Sequence, residues 1–256
     1  DLQSRHRQLR QTGAPVELLS AEQTAQRTGA SGLHGALFDP RAGTIQPMAY
    51  ACGLARAAMA AGAQRYQETP ALGISHDGDW LVTTPEGAIR ARSLLLATNA
   101  YHTQGTGVPA PAYTTVSYFQ LATAPLDASR LEPILPQGEG CWDTGLIMTS
   151  FRKDAAGRLI LGGMGDLDLP GGGLHRGWAA RKLARLYPDL ADVALQQAWC
   201  GRIAMTGDHV PKILRLGENA MSVFGYSGRG IGPGTLFGRD VAMALLTGDE
   251  AGLPVS

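Results

Sequence analysis

Residues able to do chemistry concentrate near the carboxy end, in Phe224-Gly225-Tyr226-Ser227-Gly228-Arg229-Gly230-Ile231-Gly232-Pro233-Gly234. The stretch lies between an apolar run that reads as a strand and an amphipathic run that reads as a helix. Glycines at 225, 228, 230, 232 and 234 leave backbone N–H groups unhindered at a helix start, where the dipole favours negative charge. Such a loop can hold an anion or the edge of a polar ring. An ordinary strand-to-helix turn rarely needs five glycines.

Sharper motifs fail. The fingerprint G-x-G-x-x-G occurs nowhere, and its relaxed form at Gly105-Thr106-Gly107-Val108-Pro109-Ala110 is followed by Pro111 where a helix should begin. No P-loop is present. Ser227 misses the G-x-S-x-G elbow because Arg229 replaces the last glycine, and a hydrolase of that type needs a His after its Ser, whereas the last is His209. The histidines (His6, His34, His76, His102, His175, His209) have no ligand spacing, and no carboxylate pair sits at a metal-binding interval on a helix. Metal catalysis is disfavoured. Arg152, near the end of an expected strand, has a planar fork suited to an anionic group on a substrate. A surface arginine beside Lys153 and Asp154 fits the sequence equally.

The elements that must position these residues follow from periodicity and turn signals. Residues 1–28 read as helical, broken at Pro15, with Ser20-Ala21-Glu22-Gln23 as a capping box, and 29–46 read as turns. A helix runs from Pro47 to Gly62. Short strands at 72–75, 80–84 and 88–90 form a meander. The run Ser93-Leu94-Leu95-Leu96-Ala97 suits a strand covered on both faces. After a Pro/Gly-rich crossing at 105–111, strands are expected at 115–123, 146–151 and 158–162, with a helix over 178–187. The last part reads as strands at 203–205, 212–216 and 221–225, then a helix over 235–247 with Phe237, Val241, Ala244 and Leu245 on its buried face. Two kinds of region thus alternate along the chain.

Composition narrows the partners. The 256 residues carry 22 Lys+Arg against 22 Asp+Glu and 44% hydrophobic residues, enough for one large core or two smaller ones. Zero net charge without a basic block argues against nucleic acid or an anionic membrane, and no apolar run approaches the ~20 residues of a membrane span. A small-molecule partner is expected. Cys52, Cys141 and Cys200 cannot all pair and have no metal-like spacing, which points to a reducing, cytoplasmic setting. The start lacks both an apolar signal core and Met, so the chain is expected to begin partway into a longer protein.

Four ordered stretches, Gly35 to Gly43 leading into Pro47, Leu94 to Tyr101, Arg158 to Gly163, and Gly225 to Gly230 with its helix, resemble the FAD-dependent D-amino acid oxidase-like (DAO) oxidoreductases, in pattern nearest the γ-glutamylputrescine oxidase branch. The resemblance implies an α/β plus α+β fold. An FAD-binding, glutathione-reductase-like Rossmann domain, incomplete without its first βαβ unit, would be interleaved with an α+β substrate domain on a mixed or antiparallel sheet. Residues 1–46 and 105–205 would form the substrate domain, and 47–104 and 206–256 the FAD domain.

By the same resemblance Ala71 would lie near the adenosine side of FAD, Ala97, Thr98 and Asn99 beside the cofactor, and Gly228, Arg229, Gly230, Ile231 and Gly232 at the flavin's pyrimidine edge. Arg152, Tyr118, Gln120 and Trp142 would face the substrate, each with a core or rim role as the alternative. Gly232 stands where sarcosine-oxidase-type members carry Lys, which disfavours a small N-methyl amino acid. Their covalent flavin cysteine aligns near Gly201, one off Cys200, so a non-covalent flavin is expected. The missing fingerprint implies that these residues alone hold FAD poorly and turn over no substrate. The activity implied is oxidation of an amine C–N bond to an imine with oxygen as acceptor. Two alternatives stay open, a non-catalytic remnant or binding module and a dehydrogenase using another acceptor. Self-association through an uncovered sheet edge is also expected.

Overall fold

A computed structural model describes residues 2–108, 112–145 and 148–255. The first half of the chain contains α1 (Leu2–Gln11), β1 (Glu17–Ser20), α2 (Ala21–Thr28), β2 (Gly35–Phe38) and α3 (Pro47–Ala60). There follow β3 (Gly73–Asp77), β4 (Asp79–Thr84), β5 (Gly87–Ala91), β6 (Leu94–Leu96) and β7 (Thr114–Thr123). The second half contains α4 (Ala128–Leu131), β8 (Cys141–Trp142), β9 (Ser150–Lys153), β10 (Leu159–Met164) and α5 (Gly172–Leu186). It ends with β11 (Leu195–Met205), β12 (Lys212–Gly217), β13 (Ala220–Phe224) and α6 (Ile231–Thr247).

The chain divides into two units, residues 1–46 with 117–201 and residues 47–116 with 202–256. The first unit rests on a five-stranded sheet in the order β11-β7-β10-β9-β8. Its helix α5 covers one face, where Ala179, Leu183 and Leu186 meet the buried Phe119, Leu121, Phe151, Leu159 and Leu161. Each of these leucines and phenylalanines contributes roughly 1.5–3 kcal/mol by leaving water. In the second unit the order is β12-β13-β6, with β13 antiparallel to β12 and parallel to β6. Its two faces are covered differently. Ile213, Met221, Val223 and Leu95 pack against Val241, Ala244, Phe237 and Leu245 of α6, while Ala220, Leu94 and Leu96 pack with Ile74 and Trp80 of the β3-β4-β5 meander. The alternation along Leu94-Leu95-Leu96 is therefore apolar on both sides, as a strand covered twice requires.

Local departures from the sequence expectation have physical causes. The helical start breaks into α1, a strand and α2, because Glu17 to Ser20 pair antiparallel with Gly35 to Phe38 in the segment expected to be all turns. The capping box forms as read, with Gln23 N–H donating to Ser20 Oγ and Ser20 N–H to Gln23 Oε1. Helix α5 begins at Gly172, six residues before the expected Trp178, since Gly172 lies so close to the Leu167 carbonyl that a Cβ would overlap it. There glycine serves close approach, not a break. Helix α6 starts at Ile231, four residues before the expected Thr235, because Pro233 fits the first turn, where no N–H bond is lost. Strand β9 runs Ser150–Lys153, and Leu146 and Ile147 of the expected strand lie outside the described residues.

The chain changes unit after residues 46, 116 and 201, against expected crossings after 46, 104 and 205. Residues 105–108 are held in the second unit by Ile74 N–H donating to the Thr106 carbonyl and by Val108 packing with Ile74 and Trp80. Pro109 to Pro111 of the expected crossing lie outside the described residues.

Gly29 closes α2 in the left-handed region (φ 66°), and a Cβ there would overlap the Pro133 carbonyl. Gly29→Ala is therefore expected to destabilise the first unit by about 2 kcal/mol or more, through both φ strain and displaced backbone. Thermal unfolding checks this, and an unchanged melting temperature contradicts it.

Candidate functional site

In the first unit, register decides which side chains share a face. Gly162 lies opposite both Gln120 and Ser150, Met164 opposite Tyr118, Ile160 opposite Arg152, and Trp142 opposite Ser150. Directly opposed residues project to the same side of a sheet. Tyr118, Gln120, Trp142, Ser150 and Arg152 thus occupy one face, the one turned away from α5. The four expected substrate-side residues are brought onto a single surface. Ser150 joins them and was not singled out by sequence reasoning. Period-two alternation back from Arg152 carries the signal, but only once the strand is known to start at 150.

These side chains make a donor-rich surface. Tyr118 Oη donates to Ser150 Oγ at 2.9 Å, and burial raises the Tyr118 pKa although that bond lowers it, so the phenol stays protonated. The Arg152 guanidinium is half-buried, which lowers its pKa against the opposing pull of Asp154, and it has no ion pair among the described residues. Trp142 is 57% exposed at the edge of the patch. Next to it, Asp143 takes the Lys182 ammonium of α5 at 2.7 Å and N–H bonds from Thr149 and Gly145. Burial alone would raise the Asp143 pKa, but these partners outweigh it and hold the carboxyl below its ordinary value.

On the opposite face, Cys200 packs toward Phe119, Leu121 and Ala179, and its sulfur accepts the Leu167 N–H at 3.2 Å. Asp166, Asp168 and Cys200 bring their ligand atoms within 4.8 Å of one another, a grouping that the sequence separation hides. Asp166 already accepts from Ser117 Oγ and the Asp168 N–H.

In the second unit, β6 and β13 run parallel, so the turn at 97–99 and the loop at 225–232 leave the same, carboxyl end of the sheet. In open α/β sheets this is the end where ligands bind. Asn99 adopts φ 45° and its Oδ1 accepts the Gly225 N–H at 3.0 Å, tying the two turns together. Gly225 (φ 77°) must be glycine, because a Cβ would come within 2.5 Å of Thr206 Cγ2. Ser227 (φ 50°) donates its N–H to the Ala204 carbonyl at 3.2 Å, so the near-miss nucleophile is part of the turn's scaffold.

The loop keeps one side bare. The Tyr226 ring lies against Gly230 and Gly234, where a Cβ would meet it at 3.4 and 3.7 Å, and it packs on Phe237. At Gly232 nothing stands within 4 Å of a Cβ, and at Gly228 only Ile203 Cδ1 at 3.7 Å. Gly228, Arg229, Ile231 and Gly232 are exposed, and among the described residues no side chain caps the start of α6. Nearby, His102 Nδ1 pairs with Thr98 Oγ1 at 3.2 Å while its buried Nε2 has no partner among the described residues. Bare amides, a helix start and an orphaned ring nitrogen fit the electron-rich rim of a planar polar ring. Ala97 and Thr98 share this end of the sheet. Ala71, just before Leu72 pairs with Thr83 in the meander, is not joined to the loop by any described contact.

Along the chain, a glycine loop at the end of a mixed three-stranded sheet alternates with an antiparallel sheet bearing a polar face. The family profile described as FAD dependent oxidoreductase matches residues 1–244, and the chain belongs to this family. It is 33% identical over 217 residues to a probable oxidoreductase, OrdL, of Rhizobium meliloti (strain 1021), covering 84% of this chain and 50% of that protein. It is 27% identical over 239 residues to the γ-glutamylputrescine oxidoreductase of Escherichia coli (strain K12), covering 91% of this chain and 55% of that one. The chain thus spans about half the length of the curated relatives it matches. Among solved structures, it resembles an L-proline dehydrogenase from P. horikoshii (TM-score 0.78, 22% identity, 96% of this chain and 68% of that one). A glycine oxidase from Geobacillus kaustophilus is similar too (TM-score 0.77, 20% identity, 97% and 68%). No helix among the described residues is long and apolar enough to cross a membrane.

The depressed Asp143 pKa has a signed consequence. Its contribution to stability is complete above the ordinary carboxylate value of about 4 and is lost as pH falls through the lower folded value. Asp143→Asn should therefore lower the melting temperature at pH 7 and flatten its decline below pH about 4. Equal acid sensitivity in the two proteins would contradict the assignment.

Proposed function

We propose that the protein oxidises the C–N bond of an amine or amino acid to an imine, using non-covalent FAD and returning electrons to oxygen as peroxide. The observation that carries this is the Asn99–Gly225 tie, which sets the glycine loop open at the carboxyl end of the β6–β13 pair. Family membership and the named activities of the relatives support it. FAD, when bound, supplies the two-electron acceptor. The chain's own part is to hold and polarise. The amides at Gly228, Gly230 and Gly232 with the start of α6 would hold the ring's negatively charged rim, and Asn99 fixes their geometry. A non-covalent flavin agrees with Cys200, whose sulfur is engaged on the α5 side of its sheet.

On the first unit's polar face Arg152 would anchor an anionic group and Trp142 an apolar one, while Tyr118 and Ser150 donate hydrogen bonds. None of Tyr118, Gln120, Ser150 or Arg152 is a base near neutral pH, so the amine must arrive already deprotonated. In the full-length gene product, amine-dependent peroxide release should rise with pH in step with deprotonation of the substrate. Replacing the amine by one of lower pKa should move the inflection by the same amount. An inflection fixed across amines would show a protein base and overturn this account.

Asn99→Ala and Arg152→Ala should each reduce kcat/KM about tenfold or more, the first with weakened FAD binding and the second without it. A full-length protein that takes up no flavin would favour the binding-module reading. A flavin bleached by amines without peroxide would favour a different electron acceptor. The 256 residues alone, lacking G-x-G-x-x-G, should hold FAD weakly, and a stoichiometrically yellow preparation would contradict that.

A further inference from the structure

Adjacent glycines in β10 face opposite sides of the sheet and meet different surroundings. A Cβ on Gly163 would come within 2.9 Å of Trp178 Cζ3 and 3.1 Å of Phe119 Cζ, both in the packed layer beneath α5. One on Gly162 would come within 2.7 Å of Ser150 Oγ, 2.7 Å of Tyr118 Cε1 and 2.8 Å of Gln120 Nε2. Three polar side chains from β7 and β9 thus converge over a position with no side chain of its own. The atoms crowded at 162 belong to polar side chains, a serine hydroxyl, the edge of the Tyr118 ring and a glutamine amide, whereas those at 163 are apolar ring carbons in a packed core. A methyl group should displace function at the first and stability at the second.

The convergence has a direction. Tyr118 Oη donates to Ser150 Oγ, which fills an acceptor site on the serine and leaves its own O–H to point elsewhere. Ser150 has no further side-chain bond among the described residues. Next to it Gln120 offers a carboxamide N–H. We propose that Gly162 is a specificity-determining position of the substrate face, and that the Tyr118–Ser150–Gln120 cluster it admits recognises an uncharged acceptor oxygen on the substrate, such as an amide carbonyl. This rests on the reading of that face as the substrate side. A substrate lacking such an oxygen leaves the Ser150 donor unmatched, and that loss sets the discrimination.

The test uses two amines of similar length, 4-aminobutanamide, which has a carbonyl oxygen, and n-pentylamine, which does not. Their dissociation constants are measured by calorimetry on the flavin-loaded full-length protein. The wild type should bind the amide about tenfold or more tighter. Gly162→Ala and Ser150→Ala should bring the ratio close to one, Ser150→Ala with little change in melting temperature, while Gly163→Ala should lower the melting temperature and keep the ratio. A wild type with no preference, or a ratio unchanged in Gly162→Ala and Ser150→Ala, overturns the proposal. Trp142→Ala separates this from failure of the underlying reading, because Trp142 is on the same face but not in the cluster. If it weakens both amines while the Gly162 and Ser150 variants keep the ratio, only the oxygen-recognition proposal fails. If Trp142→Ala leaves both amines unaffected, the face is not the substrate side and both readings fall.

Discussion

Parallel pairing between β6 and β13 joins segments that the sequence holds far apart, and the second unit's chemistry depends on it. Ala220 registers with Leu94 and Ser222 with Leu96, and β13 continues past that pair to Phe224 while β6 gives way to the turn at 97–99. Asn99 then reaches across 126 positions of sequence to accept the Gly225 N–H. The bond satisfies a backbone donor that a tight glycine turn would otherwise leave exposed or orphaned, and it fixes where the following amides emerge. Without the parallel register, the glycine stretch would be a flexible connector. With it, the loop is tied to the turn at 97–99.

In the first unit antiparallel register plays the corresponding part. Five strands place large apolar residues under α5 on one side, and the same alternation places Tyr118, Gln120, Ser150 and Arg152 on the other. The packed core and the polar face are thus two sides of one pattern. The Asp143–Lys182 pair links the short edge strand β8 to α5, holding Trp142 at the border of the polar patch. A slip of one residue in β9 would exchange Phe151 with Arg152, burying a charge and exposing a core ring, a change far costlier than any single contact it could gain.

Much of this was legible in the sequence where the signal is local. The capping box at Ser20, the proline start of α3, the meander turns and the apolar face of α6 each depend on residues within one or two turns of each other. The glycine loop was legible for the same reason, since its glycines fall close together in sequence. What stayed hidden depends on distant partners. Strand β1 exists because β2 pairs with it, Ser150 matters because Tyr118 and Gly162 lie across from it, and residues 105–108 join the second unit through Ile74. Residue types assign chemistry, but only register says which of them meet.

Glycine carries two unlike tasks here, and separating them explains why the chain is so rich in it. At Gly225 the backbone needs a positive φ and space against Thr206, so the residue shapes the turn. At Gly228 and Gly232 almost nothing surrounds the missing Cβ, so there the residue leaves an approach open. Gly162 belongs to neither case, because its surroundings are crowded by polar groups that meet only where a side chain is lacking. The first use shapes a turn, the second leaves the loop's backbone uncovered, and the third lets polar groups from separate strands converge on one point. A substitution at each would therefore fail in a different way, and a loss of stability at one says nothing about recognition at another.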